Sequence, residues 1–296
     1  MTGFVAVAAA PWLLSLALGA RWLRVGRQAP PGWTVATTSS LAVLAACAVL
    51  ASLVAVIAVL ASSSHGCMRV LAVVPAAYAV WRAVVAAGHV RRVVHSVRST
   101  ARFGRAAASS DGVVVVETSA ADAFAVPSGG GAVVITTGLV DALSDDEIQA
   151  VVDHERGHLR FRHPWWIQMA EISASFDPLL RPVVTQVRNA AERHADEYAA
   201  QRTDRRTVMT ALARTALVCA RTGPVPPSPV VRGTGGDVAA RALALSGPPP
   251  RGQRAPLVVA LGAVGITVGM LIAVLGDVTQ DVVSPEYGEA PTTIGQ

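Results

Sequence analysis

The alternation of apolar and arginine-bearing stretches sets the layout of this chain. Four stretches are dense in Ala, Val and Leu and almost free of charge: residues 1–20, 37–62, 70–88 and 255–276. A helix rises about 1.5 Å per residue, so about 20 apolar residues cross a hydrocarbon core of about 30 Å. The pattern therefore predicts four transmembrane helices, with an acidic tail at residues 277–296.

The interval between the third and fourth spans has a different pattern. Two β-branched runs, residues 113–116 and 132–137, flank a glycine-rich loop and predict a small antiparallel β-sheet. Helical periodicity follows, and Pro- and Gly-rich segments then bracket a short helical piece. We predict a mainly α membrane protein with a cytoplasmic α+β domain at residues 111–222. A linker with a short helix, residues 223–254, then leads to the fourth span.

Composition and charge agree with a membrane protein. Hydrophobic residues make up 52% of the chain and charged residues only 15%, against about 25% charged in ordinary soluble domains. The first 110 residues contain arginines but no acidic residue. Arginines after the first and third spans, including a basic juxtamembrane helix before residue 110, predict that both termini lie outside a multi-pass cell membrane. No aromatic-interleaved basic patch is present, so a nucleic-acid partner is not expected.

Residues 145–163 carry the candidate chemistry. In His154-Glu155-Arg156-Gly157-His158 the two histidines lie four positions apart, so both can reach one metal ion with Glu155 beside them. Ser144 and Glu147 form a capping box that begins a helix there. Zinc held in this way lowers the pKa of a bound water to about 7, and a nearby carboxylate can accept its proton. A surface helix with two solvated histidines is the alternative, and it leaves their spacing unexplained.

A catalytic zinc takes three protein ligands, and Glu192 is the third candidate. Glu192 and Asp196 lie four positions apart in an alanine-rich helical stretch. Glu192 can therefore bind the metal while Asp196 orients a ligating histidine. An exposed helix with several ion pairs explains the same spacing equally well. His163 is not expected to be a ligand, because Pro164 ends the helix and directs His163 elsewhere.

Residues 122–200 resemble the HtpX-type and BlaR-type integral membrane zinc metallopeptidases, which are gluzincins. The resemblance rests on five segments in order: Asp122-Ala123-Phe124-Ala125, residues 132–139, residues 143–147, the HERGH core, and Glu192-xxx-Asp196. It implies that His154, His158 and Glu192 bind one Zn²⁺ per chain, that Glu155 is the catalytic base, and that Asp196 supports the site. Two positions depart from the family pattern. Asp122 replaces a common Asn, and Asn189, next to Arg188, stands where an arginine is expected.

The same resemblance implies a peptidase that cleaves a cytoplasmic or membrane protein. The BlaR branch implies a transcriptional repressor as substrate, and the HtpX branch implies turnover of damaged membrane proteins. The expected partners are a protein or peptide substrate and the lipid bilayer. Residues 277–296 leave no room for a large extracellular sensor, so β-lactam sensing is not expected. The alternative is a catalytically silent membrane sensor or scaffold that retains the peptidase fold.

The second β-branched run offers a weak candidate for substrate binding. If an edge strand of the sheet borders the metal, an extended substrate can add to it as a further strand. We place this contact at Val133, Val134, Ile135 and Thr136. A purely structural hairpin explains the same pattern.

Overall fold

The computed structural model describes residues 2–25, 29–107, 112–222 and 238–249, with scattered residues between 258 and 280. The described chain is mainly helical and contains one small sheet. Its helices are α1 Thr2–Val25, α2 Pro31–Ser62, α3 Gly66–Leu71, α4 Val73–Ala107, α5 Thr137–Val140, α6 Asp145–Arg160, α7 His163–Phe176, α8 Arg181–Arg202, α9 Arg205–Thr222 and α10 Val238–Ser246. Its strands are β1 Val113–Val116, β2 Ala123–Val126 and β3 Ala132–Thr136.

Two of the described helical stretches are long and apolar enough to cross a membrane, not the four predicted. They are Pro31–Ser62 and Gly66–Ala101. The first predicted span contains a shorter apolar helical stretch, Ala8–Gly19. Much of the fourth, residues 255–276, and almost all of the acidic tail lie outside the described residues. Within that fourth stretch, Val264 and Val268 are helical and pack against α1 and α2.

A helical hairpin joins the two halves of the metal-binding sequence. It consists of α7, a 3₁₀ turn at Pro178–Leu180, and α8. Its tip packs into an apolar cluster with α1 and α2, in which Leu41 and Leu180 are fully buried. Asp177 shapes the turn, because its carboxylate accepts a hydrogen bond from the backbone N–H of Leu179. The buried Arg82 of α4 donates to the carbonyls of Ala174 and Phe176, which satisfies the end of α7.

The sheet has the order β1-β3-β2, and the prediction of an antiparallel sheet was only half correct. β2 is antiparallel to β3, but β1 is parallel to β3. After β1 the chain crosses to the far side of the sheet and forms β2. The glycine-rich loop then returns it, so that β3 lies between β1 and β2. That return needs positive φ angles, which Gly130 and Gly131 adopt at 100° and 90°. Local pattern does not reveal this order.

The central position of β3 excludes the predicted strand addition at Val133, Val134, Ile135 and Thr136. Both edges of β3 are already hydrogen bonded, to β1 and to β2, and all its residues are buried. The free edge next to α6 belongs to β2. Of the two edge strands, β2 lines the cavity beside Glu155, so a substrate strand next to the metal site is expected to add to β2.

The helix that carries the two histidines begins as predicted. The backbone N–H of Ser144 donates to Glu147, and both halves of the capping box are present. Arg214 of α9 also pairs with Glu147 at 2.8 Å, which ties the start of α6 to α9. Gly157 lets α8 approach closely, because a Cβ there would lie 3.2 Å from the Cα of Ala195. This contact brings Glu192 next to the histidines.

Candidate metal centre and active site

Three side chains converge where α6 faces α8. The Nε2 atoms of His154 and His158 lie 3.2 Å apart. A carboxylate oxygen of Glu192 lies 3.6 Å from the first of these nitrogens, and its other oxygen lies 3.5 Å from the second. Ligands at 2.0–2.1 Å from a tetrahedral zinc are separated by about 3.3 to 3.4 Å. The separations of these donor groups are therefore close to those around a tetrahedral zinc ion.

Two further groups hold this cluster in place. Asp196, one turn after Glu192, accepts a hydrogen bond from Nδ1 of His154 at 3.0 Å. Arg241 donates to both oxygens of Asp196, at 2.8 and 2.6 Å, and lies 3.0 Å from Glu192. Asp196 occupies the supporting position that the sequence predicted. Arg241 was missed, because the sequence placed α10 in a linker remote from the site.

His163 also reaches the cluster, although it is not a ligand. Its Nδ1 lies 3.1 Å from Nδ1 of His158, which is the nitrogen that faces away from Glu192. Its Nε2 lies 3.1 Å from Nδ1 of His194 on α8. His163 is fully buried. His163 therefore lies against the outer side of His158 and not among the donors of the metal-binding group, and the sequence did not predict this contact.

Residues 85–172 match the model of peptidase family M48. This part of the chain is therefore similar to a peptidase family M48 domain. Together with the His154, His158 and Glu192 cluster, this match identifies a zinc metallopeptidase. The match runs from α4 to α7 and ends before Glu192, so the third ligand follows from the geometry alone. No curated protein and no solved structure matches the chain.

Burial and ion pairing shift the pKa values of the groups in the metal cluster in different directions. Burial lowers the pKa of His158 to about 4. Burial also acts to lower the pKa of His154, but hydrogen bonds to Asp196 and Glu192 outweigh it and raise the value to about 10. The carboxyls of Glu192 and Asp196 have pKa values below their ordinary ranges despite burial, because His154 and Arg241 stabilise their charged forms. The cluster is therefore built around two carboxylates.

Glu155 faces a cavity of about 420 Å³ beside the M48 metal cluster. Burial raises the pKa of its carboxyl to about 7. Strand β2 forms one wall of this cavity, from Asp122 to Ala125, and α9 forms another. Glu155, the three zinc ligands and a free strand edge thus share one space. That combination provides a metal, a carboxylate and a surface for an extended peptide.

Two sequence features lie apart from the M48 metal cluster. Arg188 forms an ion pair with Glu171 on α7 and does not line the cavity. Cys219 lines the cavity, where its thiol donates to the carbonyl of Ala121 at 3.3 Å. Among the described residues, the group able to hold a metal contains no cysteine, as expected for a His-His-Glu zinc site.

Proposed function

We propose that this M48 protein is a membrane-embedded endopeptidase that hydrolyses peptide bonds in an extended segment of a cytoplasmic or membrane protein. The observation that carries the proposal is the shared cavity, where Glu155 and the zinc ligands lie beside the free edge of β2. Regulatory cleavage of a repressor and turnover of damaged membrane proteins both require such a segment. The edge of β2 binds it through backbone hydrogen bonds, independently of sequence.

The mechanism assigns separate tasks to the residues of the cavity. His154, His158 and Glu192 would hold the zinc ion, which would supply a Lewis acid to polarise the scissile carbonyl and to acidify water. Glu155 accepts a proton from the attacking water and passes it to the leaving amine. Asp196 orients His154 by accepting a hydrogen bond from its Nδ1–H, so that Nε2 is directed into the cluster.

The surface of the long helices supports placement in a membrane. Large apolar side chains are exposed along both stretches, among them Val54 on α2 and Val74, Trp81 and Val84 on α4. Monomeric soluble proteins rarely expose such extended apolar surfaces. Further along α4, Arg91, Arg92 and Arg98 are exposed. By the positive-inside rule this end of α4, and the peptidase domain that follows it, lies in the cytoplasm.

Hydrolysis of an unfolded protein tests the proposal. The full chain is purified in detergent as wild type, Glu155→Gln and Glu117→Gln, the last being an exposed glutamate outside the cavity. Casein cleavage and zinc content are measured for each. We expect about one zinc per chain in all three, with cleavage reduced at least about 100-fold in Glu155→Gln alone. Zinc without cleavage in wild type would favour the silent scaffold.

A further inference from the structure

Zinc ligation fixes the direction of a row of hydrogen bonds behind the metal cluster. Nε2 of His158 faces Glu192, so a metal ion there leaves the proton of His158 on Nδ1. That N–H donates to Nδ1 of His163, and His163 then carries its own proton on Nε2. His163 in turn donates to Nδ1 of His194. Each ring therefore has one tautomer, and the row runs outward from the metal.

The ring of His194, at the outer end of this row, contacts Phe161 and the first turn of α2. The ring of His194 stacks on Phe161 with a centroid distance of 3.9 Å and an interplanar angle of 25°. The ring of His194 also lies close to Gly32, in the first turn of α2. A Cβ on Gly32 would lie 2.6 Å from Cε1 and 2.9 Å from Nε2 of His194, closer than real atoms approach. The ring of His194 therefore requires a glycine at position 32 of α2.

We propose that His163 and His194 are positioning residues that orient the zinc ligand His158 and connect it to the first turn of α2. A ligating histidine usually donates its second N–H to a carboxylate or carbonyl, as His154 does to Asp196. His158 uses a histidine pair for the same purpose. Its orientation consequently depends on the position of α2, one of the two helices long enough to cross a membrane. Movement of that helix end alters zinc binding.

Other roles for His163 agree less well with its surroundings. As a fourth ligand it would have to approach the Nε2 side of His158, but it lies on the Nδ1 side. Both of its nitrogens lie 3.1 Å from another imidazole, one of them that of the zinc ligand His158. Its complete burial makes these partners necessary, because a buried polar group without them is costly.

Two substitutions of nearly equal size separate orientation from packing. In the full chain in detergent, His163→Leu removes the acceptor for His158, whereas His163→Asn provides an amide oxygen near the position of Nδ1. We expect zinc affinity, measured by competition with a chelator, to fall about 10- to 100-fold in His163→Leu. His163→Asn should recover most of this loss. Equal affinities in the two variants would overturn the orienting role.

The connection to α2 is tested far from the metal. Gly32→Ala pushes on His194, whereas Gly88→Ala on α4 meets only the end of Arg92 at 3.7 Å. We expect Gly32→Ala to weaken zinc binding about tenfold and to change the visible absorption spectrum of the Co²⁺-substituted protein, with neither effect in Gly88→Ala. His194→Leu, compared with His194→Asn, provides the same test without a change in α2. Wild-type affinity and spectrum in both Gly32→Ala and His194→Leu would overturn the connection.

Discussion

Each of the three zinc ligands is held by a partner from a different position in the chain. Asp196 on α8 holds His154, His163 at the start of α7 contacts His158, and Arg241 on α10 pairs with Glu192. Arg241 also binds Asp196 through two hydrogen bonds, so one guanidinium compensates two buried carboxylates. Without it, two like charges would remain close together in a site that excludes most water.

Replacement of Arg241 tests this compensation at the scale of a single residue. Arg241→Lys retains the charge but loses the planar fork, and Arg241→Ala loses both. After dialysis against a chelator, we expect wild type to retain the most zinc, Arg241→Lys less and Arg241→Ala the least. The zinc affinity of Arg241→Ala should be about 10- to 100-fold weaker than that of wild type. Arg206→Ala, at an exposed position, serves as the control. Wild-type zinc retention in Arg241→Ala would contradict the role given to Arg241.

At the scale of elements, strand β2 is the proposed contact between the metal site and a substrate. Just before β2, the carbonyl of Asp122 accepts a hydrogen bond from the backbone N–H of Thr136, and the N–H of Asp122 donates to the hydroxyl of Thr136. In an antiparallel ladder such pairs alternate, so the backbone groups of Ala123 face the free edge. Those groups line the same cavity as Glu155. We therefore expect the N–H of Ala123 to donate to an incoming strand.

Ala123→Pro removes this one donor and leaves the hydrogen bonds to β3 in place, since proline is tolerated on an outward-facing edge. We expect zinc content to be unchanged and kcat/KM for casein to fall about tenfold, because one backbone hydrogen bond in a desolvated groove is lost. Ala123→Val keeps the N–H and changes only side-chain packing, so its activity should remain within about threefold of wild type. An Ala123→Pro variant as active as Ala123→Val would indicate that substrate binds elsewhere.

Elements whose signals are local could be predicted from the sequence, and those that depend on distant contacts could not. The capping box at Ser144, the histidine pair one turn apart and the Glu192–Asp196 spacing all follow from helical periodicity. The parallel pairing of β1 and β3 does not, because local alternation is the same for either direction. Arg241 carries no local signal either. It lies in a short helix after a Pro- and Gly-rich segment, and only tertiary packing brings it to the site.

At the scale of the whole molecule, the peptidase site is built directly on the long helices. The α7–α8 hairpin packs against α1 and α2 and carries His163 at its beginning and Glu192 in its second arm. The first turn of α2 touches His194. The metal site therefore does not sit on a separate domain joined by a flexible linker. Its geometry is continuous with the part of the protein proposed to lie in the bilayer.

Native cysteines test the orientation of the whole chain. Cys67 lies in α3, at the start of the stretch Gly66–Ala101, and Cys219 lies on α9 beside the active-site cavity. In cells that express single-cysteine variants, we expect a membrane-impermeant thiol reagent to label Cys67 from outside and Cys219 only after permeabilisation. A variant without cysteine gives the background. The opposite labelling pattern would place the peptidase domain outside the cell.

X-ray absorption at the zinc edge of the purified full chain tests the central claim most directly, namely that His154, His158 and Glu192 together hold one zinc ion. We predict only nitrogen and oxygen neighbours at about 2.0 to 2.2 Å, with the multiple scattering of two imidazoles. In Glu192→Ala the ion should be lost or an oxygen neighbour replaced by solvent. A sulphur neighbour near about 2.3 Å, or a wild-type chain without stoichiometric zinc after purification in zinc-containing buffer, would contradict the account.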